Sequence, residues 1–175
     1  MKSHKFFLLI ITLVMFFACK PKSERDIAVD NINELEYTLY GDTVITEIDL
    51  TTASNMIQAY LSFAEKFKED SLAPEYMYKA ADISMNINQG SQAILYLENI
   101  KLKYPYYKNI PVCLFLQAFI YEDQLQDNES ASRLYNQFME KYPNHELFDD
   151  AESSVNNMGK SLEEIIESFK LMEKN

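Results

Sequence analysis

The side chains best suited to act as nucleophile, general base or soft metal ligand are few. The 175-residue chain has two histidines, His4 and His145, and two cysteines, Cys19 and Cys113. A nucleophilic triad needs a histidine beside a serine or cysteine, and a metal centre needs several His, Cys, Asp or Glu ligands in a cluster. His145 stands alone in "YPNHEL", a post-proline turn. Cys113 lies inside the apolar "PVCLFLQAFIY", where a thiol packs as a small hydrophobe. Asp149-Asp150 and Glu163-Glu164 are carboxylate pairs, but adjacent residues on a helix point apart. Favourable charge at a helix N-terminus explains them better. Gly41, Gly90 and Gly159 are isolated, so no Gly-rich phosphate loop is formed. These readings predict a chain that is not an enzyme and uses no metal or cofactor.

Cys19 is a different case. Lys2 and Lys5 make a short basic head, and Phe6 to Ala18 is a thirteen-residue apolar run. At ~1.5 Å per residue that run is too short to cross a bilayer core of ~30 Å. It reads instead as the apolar region of a secretory signal, removed before folding. Its end, Phe16-Phe17-Ala18-Cys19, resembles a bacterial lipobox. The resemblance implies a signal at 1–18, cleavage before Cys19 and acylation of that residue, which would hold the chain at a membrane. Lys20 follows the cysteine rather than Asp, as in lipoproteins forwarded to the outer membrane, and a periplasmic orientation is expected. Residues 19–48 would then be a lipidated tether with a short helix over 30–40 (Ile32, Leu35, Leu39), followed by an extended or looped "GDTVITEIDL".

The chain has 16 Lys and Arg against 27 Asp and Glu, a net charge of −11; losing Lys2 and Lys5 with the signal makes it −13. Nucleic acid binding depends on neutralising phosphates, so nucleic acid is excluded as a partner. A hydrophobic content of 47%, with twelve Tyr and eleven Phe, is too high for disorder.

The body of the chain is repetitive. "FAEKFKED" at 63–70, "IKLKYPYY" at 100–107 and "FMEKYPNH" at 138–145 recur at steps of 37 and 38 residues. Each closes a stripe of helical period: Met56, Tyr60, Phe63, Phe67; then Ala93, Leu97, Ile100, Tyr104; then Ala131, Tyr135, Phe138, Tyr142. Pro74 and Pro111 each open a further helix, where the missing N–H is harmless. Pro105 and Pro143 stop one, because proline cannot extend the hydrogen-bond ladder. Gly90 and "QDNES" at 126–130 are expected to turn the chain within each pair. Phe148 to Met158 and Ser161 to Lys174, with Gly159 between, read as a last pair. Ser161 and Glu164 have capping-box spacing, and Leu162, Ile165, Ile166 and Phe169 share one face.

The unit of helix, turn, helix and proline resembles the tetratricopeptide repeat. Met77, Ala80, Ala81, Ala93, Leu97, Ile100 and Pro105 stand in that repeat's order, as do Leu114, Ala118, Tyr121, Ala131, Tyr135, Phe138 and Pro143 with one residue inserted. The resemblance implies an all-α fold over residues 49–174: a right-handed superhelical array of antiparallel helix pairs, binding partners in its inner groove. The positions that would face the groove are Glu75, Tyr78, Asp82, Met85 and Asn86 in one repeat. In the next they are Phe115, Phe119, Glu122 and Asp123. The wording of "FKEDSLAPEYMYKAADI" and "FMEKYPNHELFDDA" is similar to BamD-like and YbgF-like tetratricopeptide lipoproteins. That likeness implies a scaffold for other envelope proteins, in outer-membrane protein assembly or as an accessory subunit of a Tol-Pal-type or cell-wall-associated complex.

Overall fold

The computed structural model describes residues 21–40 and 49–172, and the regular structure among them is helical throughout. The signal-like head, Cys19 and the "GDTVITEI" stretch lie outside the described residues. Eight helices follow in order: α1 Glu24–Tyr40, α2 Leu50–Lys66, α3 Ala73–Asn86, α4 Gly90–Lys103, α5 Ile110–Asp123, α6 Asn128–Lys141, α7 Phe148–Asn157 and α8 Leu162–Met172. From α1 to α7 each helix packs on the next in the chain, which is the nearest-neighbour stacking of a helical solenoid.

The three recurring phrases fold alike. Phe67, Tyr104 and Tyr142 cap α2, α4 and α6 with φ of −119°, −129° and −132° and ψ of 56°, 60° and 56°. Their N–H groups donate to Phe63, Ile100 and Phe138 carbonyls, each at 2.8 Å. Proline follows the second and third caps but Lys68 follows the first. The stop is therefore set by the aromatic cap packing back on the stripe, and proline only enforces it.

Within the pairs the chain reverses at Asn88 (φ 61°) and Gln126 (φ 54°). Asn88 forms a Schellman end, its N–H donating to Met85 and that of Gln89 to Ser84. After α5 the reversal is wider, with Asp127 N–H reaching Tyr121 at 2.8 Å. This turn absorbs the inserted residue, so α5 starts 37 residues after α3 whereas α6 starts 38 residues after α4. Gly90 is not the turning residue. It is the buried first residue of α4, and a Cβ there would stand 2.7 Å from both Ile120 Cγ2 and Gln124 Oε1. A glycine is needed for close approach of α4 to α5. Gly159, at φ 76°, does turn the chain, and the Ser161–Glu164 capping box forms as its spacing predicts.

Three apolar clusters run along the array. Ile32, Met56, Tyr60, Phe63, Tyr76 and Ile83 belong to the first; Met77, Ala93, Leu97, Ile100, Cys113 and Ile120 to the second; Leu114, Ala131, Tyr135, Phe138 and Ala151 to the third. Helices α3 and α5 each contribute to two clusters, which knits the array together. Ala81, Ala93, Ala118 and Ala131 are all buried at the close crossings.

The N-terminal helix is longer than the sequence suggests. It begins at Glu24, buries Ile32 in the first cluster and adds polar ties. Arg25 donates to Asp70 at 2.5 and 3.3 Å, and Glu36 accepts from Tyr60 Oη at 2.6 Å and Lys79 at 2.7 Å. Residues 24–40 are thus stacked on α2 as part of the array. At the other end α8 has an amphipathic pattern but leaves Leu162 and Ile166 exposed.

Candidate functional site

The positions of α3 and α5 that the repeat register assigns to a groove fall into two sets. In the first set the side chain is consumed by the fold. Glu75 accepts from Tyr107 Oη at 2.8 Å, and Glu122 accepts from Tyr135 Oη at 2.9 Å. Phe115 packs edge-on against Tyr135 and Phe138, with centroids 5.4 and 5.6 Å apart. Met85 packs against the second cluster, and its carbonyl accepts from Gln124 Nε2 at 2.9 Å. Tyr78 lies half-buried, 6.5 Å from the Tyr107 ring, and burial pushes its hydroxyl above the ordinary range.

The second set remains available. Phe119 is 37% exposed, and Asn86 and Asp123 face solvent. Asp82 is half-buried, and burial raises its carboxyl above the ordinary range. Its one hydrogen bond is a long one from Asn86 Nδ2 at 3.4 Å, and no described cation pairs with it. Asp82 and Phe119 occupy the same register position in successive repeats, 37 residues apart. A partly desolvated carboxylate and an open aromatic ring therefore repeat along one line of the array. That pairing suits a partner segment carrying a Lys or Arg and an apolar side chain.

The polar pairs reveal a pattern hidden in the sequence. Tyr60, Leu97 and Tyr135 are equivalent positions, each on a second helix. Where the residue is tyrosine, a glutamate of the preceding helix accepts its hydroxyl: Glu36 for Tyr60 and Glu122 for Tyr135. Where it is Leu97, the position equivalent to Glu122 holds Met85, and both pack in the second cluster. Between these two repeats the Glu122–Tyr135 pair is exchanged for Met85–Leu97, which leaves no buried hydroxyl in need of a partner.

Cys113 is buried, and burial pushes its thiol up to about 12, so it is not an activated nucleophile. His145 holds a turn: its Nδ1 accepts from Leu147 N–H at 3.2 Å and its ring sits 5.3 Å from Phe138. Among the described residues no three His, Cys, Asp or Glu side chains are grouped to hold a metal, and no helix is long and apolar enough to cross a membrane.

A second opening lies where the sequence reading placed no site. The loops after α2 and α4 together line a cleft of ≈ 690 Å³ with Lys68, Lys103, Tyr104, Tyr106, Tyr107 and Lys108 among its walls. The density of Tyr and Lys in "KLKYPYYK" is its one sequence signal, and the same residues also form the end of a repeat helix, which masks it.

The fold is that of a tetratricopeptide-type helical-repeat solenoid. Residues 112–145 match the tetratricopeptide repeat family, a span that covers nearly all of α5, the whole of α6 and the loop that follows. Repeats of this class are typically non-catalytic scaffolds for protein–protein interaction. No curated protein matches the chain.

Proposed function

We propose that this protein is a lipid-anchored scaffold at the bacterial outer membrane, facing the periplasm, where it holds another envelope protein during outer-membrane or envelope assembly. The observation that carries the binding half of this reading is the unpaired, half-buried Asp82 in register with the open Phe119. The anchoring half rests on Ala18-Cys19 after a short apolar run. The likeness to BamD-like lipoproteins favours an assembly role, and the YbgF-like alternative differs only in the partners it names.

Crosslinking in intact cells, followed by identification of the captured proteins, tests both halves. Phe119→Ala should speed dissociation by removing a central anchor, and Asp82→Asn should weaken capture of the same proteins. Glu122 is a poor test position because it supports Tyr135. Cys19→Ser should leave an uncleaved precursor. Undiminished capture by both groove variants, with folding verified by circular dichroism, removes the groove. A mature-sized, membrane-bound Cys19→Ser protein removes the anchor. Capture of Tol-Pal-type components rather than barrel-assembly components selects the alternative.

A further inference from the structure

The cleft between the two loops carries charge opposite to that of the molecule around it. The chain as a whole is net −11, yet Lys68, Lys103 and Lys108 gather in the wall of this one cleft. None of the three pairs with a described carboxylate. The wall contains two acids, Glu69 and Asp70. Asp70 is already neutralised by the Arg25 guanidinium and also accepts from Leu72 N–H at 2.9 Å. Three lysines therefore line the cleft with one carboxylate that has no cation partner, Glu69, and the net charge of its wall is positive.

The aromatic part of the wall is anchored at its ends and open in the middle. Tyr104 caps α4 and packs against the second cluster. Tyr107 is held by its hydroxyl, which donates to Glu75 at 2.8 Å and accepts from Asn109 Nδ2 at 3.0 Å. Between these anchored neighbours Tyr106 is 99% exposed. Neither the core nor the loop uses its ring.

Charge and size narrow the occupant. A cleft of ≈ 690 Å³ lies in the range of ~300–1,000 Å³ usual for ligand sites and is far larger than a single small anion needs. The lysines come from two places in the chain: Lys68 follows α2, whereas Lys103 ends α4 and Lys108 lies in the loop after it. A nucleic acid would extend beyond the cleft over a surface that repels its phosphates. A neutral sugar would make no use of three unpaired cations. What fits is a short extended peptide with carboxylates spaced along it and an apolar side chain to cover Tyr106.

We infer that the Lys68–Lys103–Lys108 cleft is a second docking site, for an acidic, aromatic-bearing segment of a partner protein. Its charge preference is the reverse of that expected at Asp82, so the scaffold can hold two segments of opposite charge. The inference does not depend on the groove being used.

Fluorescence anisotropy with the purified mature chain and a labelled acetyl-Glu-Asp-Phe-Glu-Asp-amide peptide tests it. Binding should weaken as salt rises. Lys68→Glu with Lys103→Glu should weaken it by about tenfold, and Tyr106→Ala by about fivefold or more. Glu69→Gln should tighten it by about twofold, a gain that loss of structure cannot mimic. Phe119→Ala and Asp82→Asn should leave it unchanged, which separates this site from the groove. Equal binding of a peptide with lysines in place of the acids overturns the inference, as does indifference to the double lysine reversal in a folded variant. Full displacement by millimolar inorganic phosphate overturns it in favour of a small-anion site. Salt-insensitive, Tyr106-dependent competition by maltoheptaose overturns it in favour of a sugar site.

Discussion

Helices α6 and α8 carry similar amphipathic patterns and meet opposite fates. Along α6, Ala131, Leu134, Tyr135 and Phe138 are all buried. Along α8, Leu162 and Ile166 are 67% and 44% exposed, although the helix is properly capped by Ser161 and Glu164. Local signals suffice to start and shape a helix, whereas burial needs a neighbour on the apolar side. For α6 that neighbour is supplied by α5 and α7. The array of described helices ends before α8 meets a comparable surface.

Phe138→Ala should give the largest loss, because the ring packs within 5.3–5.7 Å of Phe115, Tyr142 and His145. A cost of about 3–5 kcal/mol in urea unfolding is expected for a buried Phe. A loss no greater than that of an exposed α8 residue breaks the comparison. Ala131→Leu adds volume at the crossing of α6 on its neighbours, where Ala131 is fully buried. Overpacking should cost about 1–3 kcal/mol, and an unchanged midpoint would contradict the close crossing.

Gly90→Ala sets two effects against each other. Alanine gains up to ~1 kcal/mol in helix propensity, yet its Cβ would meet Ile120 Cγ2 and Gln124 Oε1 at 2.7 Å. The Gln124 side chain can swing away, while buried Ile120 cannot yield easily. The expected result is a net loss of about 1 kcal/mol; a gain in stability would restore the residue to a simple turn role.

The N-terminal helix gives a pH-dependent test. The hydrogen bond from Arg25, with that from Leu72 N–H, holds the Asp70 carboxyl below the ordinary carboxylate range. A depressed folded-state pKa contributes stability above the unfolded value of ~3.9, and that stability is lost as pH falls through the folded value. Arg25→Gln should therefore lower the urea midpoint at pH 7, and its difference from wild type should shrink below about pH 4. A gap that persists undiminished at pH 2 would show that the contact does not act through ionised Asp70. The smallest effect belongs to α8: Leu162→Ser with Ile166→Ser should shift stability by no more than about ±0.5 kcal/mol each. A loss like that of Phe138→Ala would mean that α8 is covered in solution.

Much of this protein could be read from its sequence because the signals are local. The 3.6-residue stripes, the prolines at Pro74 and Pro111, the aromatic caps at Tyr104 and Tyr142 and the Ser161–Glu164 box act within one or two turns of their own helix. They place the helix ends and the repeat without reference to distant residues. Tertiary structure decided which polar and aromatic side chains were already spoken for. Glu122 and Phe115 looked like groove residues until Tyr135 and Phe138 were brought against them, and Gly90 looked like a turn until Ile120 closed over it. The start of α1 was obscured because its charged first turn gains Asp70 as a partner 45 residues away. The lysine–tyrosine cleft exists only where two loops, a whole repeat apart in sequence, stand side by side. Periodicity is a property of one helix, but availability for binding is a property of its neighbours.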